Sequence, residues 1–164
     1  MIMKMQIVDK NDDIITCKHP GEVLASDIYR VSVLWVTNPN GDILVARRGL
    51  DKKHDPGKWE PAVAGTLEEG ETYETNILKE AREEIGISIT QNDIRVGPKL
   101  FLGKDWIFFC QIFFYQTDQK EFTIQKEEVM EVKWFTREEL LQLLKEQSDI
   151  FVQNFDIIAN VLLK

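Results

Sequence analysis

Three glutamates with helical spacing, Glu80, Glu83 and Glu84, are the residues of this chain best suited to chemistry. At about 100° per residue, positions i, i+3 and i+4 of a helix share one face, so the three carboxylates would lie together and repel one another. A divalent cation would remove that repulsion, and Mg²⁺ prefers oxygen ligands that it shares with substrate phosphates. The spacing therefore indicates metal-assisted attack of water on a phosphate or diphosphate. On spacing alone, an acidic helix face that simply meets solvent is the more frequent alternative.

A short loop bounded by glycines precedes these glutamates and would present them to a ligand. Gly65 and Gly70 bound the loop, and Thr72 is suited to cap the following helix because its hydroxyl can accept a hydrogen bond from a free N–H group. The sequence predicts this helix over residues 72–85, ending at Gly86, a residue that readily takes the left-handed conformation found after helix ends. Such a loop can aim backbone carbonyls and amides at a metal ion or a phosphate, which favours the functional interpretation.

The elements that must position this helix are predicted to form a mixed sheet with helices packed on it. Alternating and β-rich runs predict strands over residues 6–8, 14–17, 29–37, 43–48, 94–102, 106–116 and 129–135. Further helices are predicted over 136–146, where Thr136 opens a capping box, and over 149–163. The run 106–115 is apolar on both faces, which is typical of a strand in the middle of a covered sheet. The pattern is compatible with the α/β or the α+β class.

Length, charge and cysteine content exclude several classes of protein. The 164 residues predict one domain, 1–164, with a short N-terminal β extension over 1–27. The 20 basic and 28 acidic side chains leave a net charge of −8, which argues against binding of polymeric nucleic acid. Cys17 and Cys110 are too few for a disulfide framework and fit no zinc spacing, so we expect a reducing cytoplasm. No apolar stretch suggests a signal peptide or a membrane span, so we expect no membrane association.

The segment GTLEEGETYETNILKEAREEIGI, residues 65–87, resembles the Nudix box of the Nudix hydrolase superfamily. The matching residues are Gly65, Glu71, Glu80, Ala81, Glu83, Glu84, Gly86 and Ile87. The run-up 41–48 and 56–60 and the strand 131–135 extend the resemblance over roughly residues 28–148. The resemblance implies an α/β fold, a Nudix-type α/β/α sandwich around a mixed sheet. It also implies Mg²⁺-dependent cleavage of a diphosphate bond in a nucleoside-diphosphate-linked or related small molecule.

Matching motif positions imply roles for individual residues. Glu80, Glu83 and Glu84, together with the Gly65 carbonyl, would ligate Mg²⁺, for which Mn²⁺ is a substitute. Either Glu84 or a carboxylate in the loop before the last strand would orient or deprotonate the attacking water, and in that loop we favour Glu128. The catalytic residues implied are thus Glu80, Glu84 and Glu128. A base of this kind contributes about 10²–10⁴-fold to a rate.

One position of the motif departs from the family pattern. The family usually has arginine where this chain has Lys79, and in the family that residue holds the glutamates in place. Lys79 lies four residues before Glu83 and can keep the charge, but it lacks the planar fork of a guanidinium. We therefore expect a weakened brace.

Cationic and aromatic side chains outside the motif are candidates for substrate contacts. Arg30, Arg47 and Arg48 are candidates for phosphate binding, and the last two end a strand that enters the catalytic loops. Trp106 is a candidate to stack on a base or to cover an apolar group. The partner implied is a small-molecule diphosphate. The aromatic-rich sheet and the apolar helix 149–163 leave both a monomer and a homodimer open.

Two other functions stay open from the sequence. The N-terminal extension and residues 47–59 also resemble the isopentenyl-diphosphate isomerase branch of the superfamily, in which a cysteine after the tryptophan is catalytic. Residues 59–65 read WEPAVAG and contain no cysteine, and Cys17 lies more than 40 residues too early. The other function is that of a catalytically weak scaffold that binds nucleotide. Lys79 is its support, and the intact glutamates argue against it.

Overall fold

A computed structural model describes residues 3–164, and its strands form one mixed sheet. The strands are β1 (Met5–Val8), β2 (Ile14–Lys18), β3 (Ile28–Thr37), β4 (Ile43–Arg48), β5 (Trp59–Pro61), β6 (Val63–Thr66), β7 (Arg95–Gly103), β8 (Ile107–Gln116) and β9 (Val129–Phe135). The helices are α1 (Tyr73–Ile85), α2 (Arg137–Glu146) and α3 (Phe155–Leu162). Within residues 3–164, none of these helices combines the length and the apolar character needed to cross a membrane.

The long strand β3 lies at the centre of the sheet, and its two faces contact the two helical layers. It pairs in parallel with β8 along its whole length and antiparallel with β6. Alternate side chains of a strand point to opposite faces. Val33 and Trp35 accordingly pack into the core beneath α2 and α3, whereas Leu34 and Val36 pack into the core beneath α1. The α/β/α sandwich predicted from the sequence is confirmed.

Strand β8 shows the consequence of being apolar on both faces. Cys110 and Ile112 face the α2–α3 side, while Phe113 faces α1, and all three are fully buried. The strand is flanked by β3 and by β7, so it lies inside the sheet as the apolar run predicts.

The C-terminal region corrects one prediction. A helix over 149–163 is wrong at its start, because residues 148–150 form a 3-10 turn and α3 begins only at Phe155. Phe151 pairs with Trp59 beside β5, and Val152 N–H donates to the Trp59 carbonyl at 2.9 Å. The chain then turns through Asn154, which has a left-handed φ of 67°. The apolar face of α3 packs against the core of the protein, where Phe155 is fully buried.

Strands β5 and β6 were missed by the sequence prediction, although they carry part of the site. Both are short, and Pro61 and Gly65 interrupt the β-rich pattern by which longer strands are found. β5 pairs with β4, and β6 pairs with β3 so that Gly65 lies opposite Ser32. The two strands bring the chain directly to the face on which α1 packs.

Candidate active site

Helix α1 forms where its caps and its apolar stripe predict. Thr72 Oγ1 accepts a hydrogen bond from Thr75 N–H at 3.1 Å, and Gly86 ends the helix with φ 71°. Ile77, Ala81 and Ile85 are fully buried against the sheet. Because that stripe fixes the rotation of the helix, the glutamates at 80, 83 and 84 lie together on another part of its circumference.

Glu80 lies directly against strand β6, and the close approach requires a glycine there. A Cβ atom at Gly65 would be 2.4 Å from Glu80 Cγ and 2.8 Å from Asn76 Oδ1. Asn76 is fully buried between them; its amide donates to the Thr66 carbonyl at 3.2 Å, and its Oδ1 accepts from the Ser32 hydroxyl. Sequence reasoning missed Asn76, although a polar residue one turn before Glu80 on a buried helix face was an available signal.

The environment of Glu80 disfavours its charged form. Burial raises the pKa of Glu80 to about 7; Lys79 lowers it, and Glu83 raises it. Glu83 itself is exposed. The Glu80 carboxyl group is therefore more easily protonated than an exposed glutamate.

Lys79 pairs with acidic side chains of the loop before α1 and not with Glu83, which lies one turn later in the helix. Its Nζ lies 2.5 Å from Glu71 Oε1, 3.4 Å from Glu68 Oε1 and 3.6 Å from Glu80 Oε1. The expected proximity to Glu83 is thus corrected, because the Lys79 side chain turns toward the loop. Burial opposes the charge of Glu71, but hydrogen bonds from Lys79 and from Glu68 N–H hold its pKa below the ordinary value.

Glu84 is part of a second group of carboxylates that sequence reasoning did not assemble. Burial raises the pKa of Glu84 well above its ordinary value, and the charges of Glu60 and Glu80 raise it further. A hydrogen bond from the Ala64 backbone on β6 lowers it in part. Burial also raises the pKa of Glu60, against the effect of its ion pair with Arg48 at 2.9 Å. The available signal for Glu60 was a carboxylate between an aromatic residue and a proline in an otherwise apolar stretch.

Glu128 lies at the edge of this group and is already paired. Its carboxylate accepts a hydrogen bond from Lys52 Nζ, and its backbone carbonyl accepts one from Gly49 N–H at 2.8 Å. These contacts join the loop after β4 to the loop before β9. The negative charge of Glu128 raises the pKa values of both Glu60 and Glu84.

The donor chemistry of this region fits a divalent cation. Burial raises the pKa values of the carboxyl groups at 60, 80 and 84, and neighbouring acidic side chains raise them further. Their oxygens are the ligands that Mg²⁺ prefers. Among residues 3–164, no three acidic, histidine or cysteine side chains are already gathered closely enough to hold a metal ion.

A match to a protein family model shows to which family this chain belongs. The family model described as the NUDIX domain matches residues 28–155, which is most of the chain. The chain belongs to the Nudix family. The resemblance of residues 65–87 to the Nudix box is therefore confirmed as a family relationship.

Curated relatives of this Nudix protein include isopentenyl-diphosphate Delta-isomerases of Salmonella. The protein from Salmonella arizonae is 27% identical over 133 residues, which cover 76% of this chain and 71% of the relative. The protein from Salmonella heidelberg is 37% identical over 73 residues, which cover 44% of this chain and 40% of the relative. The second alignment thus spans less than half of either protein.

Solved structures share the Nudix fold with this chain. The crystal structure of DR0079 from Deinococcus radiodurans has a TM-score of 0.80 at 20% identity and covers 96% of this chain and 97% of that one. A bifunctional NMN adenylyltransferase/ADP ribose pyrophosphatase from Francisella tularensis has a TM-score of 0.61 at 20% identity, covering 82% of this chain and 40% of that one. At these identities the likeness is one of fold.

Of the three arginines predicted to contact substrate, Arg48 lies beside a carboxylate that acts on Glu84, whereas Arg47 and Arg30 pair with carboxylates elsewhere. Arg48 pairs with Glu60, while Arg47 pairs with Glu131 at 3.2 Å in a half-exposed position. The guanidinium of Arg30 is turned to the N-terminal hairpin formed by β1 and β2, where Nε donates to Asp12 Oδ1 at 2.7 Å. With its side chain only 15% exposed, Arg30 has a structural partner where the sequence suggested a phosphate.

Trp106, the aromatic residue predicted to contact substrate, lies next to the loop that follows β4. Its ring packs edge-on against His54, with 6.4 Å between the ring centroids, and it stays 37% exposed. The His54 carbonyl accepts a hydrogen bond from Arg48 Nε at 3.1 Å. Trp106 is thereby connected through one loop residue to the arginine that pairs with Glu60. Trp35 and Trp59, in contrast, pack against Phe155 and Phe135.

Proposed function

We propose that this Nudix protein is a Mg²⁺-dependent hydrolase that cleaves a diphosphate bond in a small molecule by water attack. The observation that carries the proposal is the pair of carboxyl groups of Glu80 and Glu84 on one face of α1, whose pKa values are raised by burial and by neighbouring acidic side chains. In this proposal Glu80, Glu83 and Glu84, with the Gly65 carbonyl, hold the ion. Mn²⁺ has the same ligand preferences and serves as a substitute.

The protein groups around the ion would prepare the water and the phosphates. When bound, the metal neutralises phosphate charge and lowers the pKa of a water molecule. Glu84, which accepts a hydrogen bond from the Ala64 backbone, would orient a water molecule close to α1. Glu128 is the second candidate base, and the Lys52 ion pair would have to open for its carboxylate to accept a proton. Lys52 would then be free to contact a phosphate oxygen.

A nucleoside-diphosphate-linked molecule is the substrate class that we propose. Arg47 and Arg48 would contact phosphate oxygens, exchanging their present carboxylate partners for the substrate. The exposed ring of Trp106 offers a stacking surface for a base. We place this activity in the cytoplasm, in keeping with two cysteines that form no disulfide with each other.

Isomerisation of isopentenyl diphosphate is the second candidate, favoured by the Salmonella relatives. Its weakness lies in the cysteines. Residues 59–65, the segment in which the isomerase branch has its catalytic cysteine, contain no cysteine. Cys110 is fully buried in the core, where burial raises its pKa to about 12, and burial also raises the pKa of Cys17 on the outer strand β2. Both thiols are therefore poor candidates for proton transfer near neutral pH.

A turnover screen with Mg²⁺, in which the phosphate-containing products are separated and identified by chromatography, tests the proposal. The panel contains nucleoside triphosphates, oxidised nucleotides, nucleotide sugars, ADP-ribose, dinucleoside polyphosphates and isoprenoid diphosphates. We expect turnover of one class that is lost on chelation and in Glu84→Gln. Conversion of isopentenyl diphosphate to its isomer without phosphate release would instead support the second candidate. Mg²⁺ binding with no turnover across the panel would support a nucleotide-binding scaffold.

A further inference from the structure

The N-terminal hairpin contacts the loop that leads into α1, although residues 3–27 lie outside the part of the chain that matches the Nudix family model. Gln6 N–H donates to the Leu67 carbonyl at 3.2 Å, and Glu69 N–H donates to the Lys4 carbonyl at 2.9 Å. Met5 also forms an isolated antiparallel bridge with Glu68. Strand β1 therefore lies alongside the first residues of the Nudix box.

The side chain of Gln6 makes the most specific of these contacts. It is 1% exposed, and its Nε2 donates to the Glu68 carbonyl at 2.6 Å and to the Glu71 carbonyl at 2.7 Å. Its Oε1 accepts from Arg30 Nη1 at 3.0 Å. Both amide hydrogens are thus used on the two carbonyls that bracket one turn, in which Glu71 N–H donates to the Glu68 carbonyl.

The orientation of the Gln6 amide is set from the opposite side. Arg30 can only donate, so it selects the oxygen of Gln6 and directs the nitrogen to the loop. Asp12 holds Arg30 in turn, and it accepts further hydrogen bonds from Lys99 at 2.6 Å and from the Tyr73 hydroxyl. Burial opposes the charge of Asp12, but hydrogen bonds from Lys99 and Arg30 hold its pKa below the ordinary value.

The turn held by Gln6 carries the carboxylate that anchors Lys79. Glu71 accepts hydrogen bonds from Glu68 N–H at 2.9 Å and Asn76 Nδ2 at 2.8 Å, and its other oxygen meets Lys79. Lys79 also lies 3.6 Å from Glu80 Oε1. A displacement of the Glu68–Glu71 turn would therefore move the cation that faces the Glu80 carboxylate.

We propose that Gln6 is a positioning residue for the metal site, acting through the Glu68–Glu71 turn and the Glu71–Lys79 ion pair on Glu80. The inference rests on the proposed function, because it assumes that Glu80 binds a metal ion. The hairpin is then more than an extension of the sheet. It supplies, from outside the matched residues 28–155, a buried amide that sets the geometry of Glu80.

The test compares Gln6→Met with Lys18→Met in the full-length protein. Methionine keeps the volume and removes the three hydrogen bonds. Lys18 lies in the same hairpin and forms a half-buried ion pair with Asp27 at 2.7 Å, so its loss perturbs the hairpin without touching the turn. Mn²⁺ affinity is measured by electron paramagnetic resonance, with Tm recorded for each variant. We expect Gln6→Met to weaken Mn²⁺ binding by about tenfold or more and Lys18→Met to leave it unchanged.

The outcomes separate the inference from the function on which it rests. Equal Mn²⁺ affinities for Gln6→Met and Lys18→Met overturn the inference and leave the proposed function standing. A wild-type protein that binds no Mn²⁺ contradicts the proposed metal site and the inference with it. Should Gln6→Met not fold, Arg30→Lys removes the Nη1 hydrogen bond to Gln6 while keeping a charge opposite Asp12. This variant is expected to weaken Mn²⁺ binding in the same direction, and an unchanged affinity overturns the inference.

Discussion

Replacing Gly65 by alanine would test whether the close packing of β6 on Glu80 matters for the metal site. The backbone of Gly65 belongs to strand β6 and has no left-handed φ, so alanine can adopt it. Its Cβ, however, would lie 2.4 Å from Glu80 Cγ and 2.8 Å from Asn76 Oδ1. Asn76 cannot easily retreat, because its amide group is bonded to Ser32 and Thr66. Most of the displacement therefore falls on Glu80.

The size of the displacement sets the expected effect. Glu80 Cγ must move by about 1 Å to regain an ordinary contact distance, and a misplacement of about 1 Å can lower a rate by about 10²-fold. Overpacking of a buried site costs roughly 1–3 kcal/mol. For a chain of this length that free energy lowers Tm by about 2–12 °C. The variant should therefore be folded at 25 °C and strongly impaired.

The assay is Mg²⁺-dependent turnover together with Mn²⁺ affinity, measured on Gly65→Ala and on Gly21→Ala. Gly21 is the matched control because nothing lies within 4 Å of the position where its Cβ would be. We expect weak metal binding and about 10²-fold lower turnover only for Gly65→Ala. A folded Gly65→Ala protein with wild-type metal affinity and turnover would show that the packing of β6 on Glu80 does not matter for the metal site.

The remaining predictions concern the brace, the titration of the site and the base. Lys79→Arg should keep or raise turnover, because a guanidinium can pair with Glu71 in a bidentate manner; a large loss would show that the ammonium group has a role of its own. The pKa of Glu80 is raised to about 7 in the folded protein, so the metal-free protein should lose roughly 1–3 kcal/mol of unfolding free energy as pH rises from about 4.5 through 7. Denaturant titrations at several pH values check this, and Glu80→Gln should flatten the dependence; an equally steep wild-type and variant curve would contradict it. Glu128→Gln should lower kcat by about 10²–10⁴-fold with metal affinity unchanged. The control Glu127→Gln, at an exposed neighbouring residue, should keep the wild-type kcat. Equal kcat values for the two variants would exclude Glu128 as the base.

Local signals made helix α1 predictable from the sequence. Thr72, Gly86 and the buried stripe around Ala81 each act within one or two turns of the chain, and together they place the glutamates on one face. The layers of the sandwich were predictable for a similar reason, because the alternation within the long strands shows which side chains are buried.

Contacts between distant segments were not predictable in the same way. Arg30 looked like a phosphate ligand because nothing in the nearby sequence points to Asp12, eighteen residues earlier, as its partner. Glu60 joins Glu84 only through the packing of α1 on two short strands. Gln6 reaches residues more than sixty positions away. In each case the partner depends on topology and not on periodicity.

Electron paramagnetic resonance of Mn²⁺ binding to the wild-type protein and to Glu84→Gln tests directly whether the glutamate face of α1 holds a metal ion. Glu74→Gln is the control, since Glu74 lies in the first turn of the same helix, ten residues before Glu84. We expect the wild type to bind Mn²⁺, Glu84→Gln to bind it about tenfold or more weakly, and Glu74→Gln to bind it as the wild type does. The same affinity in all three proteins would contradict the assignment of this carboxylate face as the metal site.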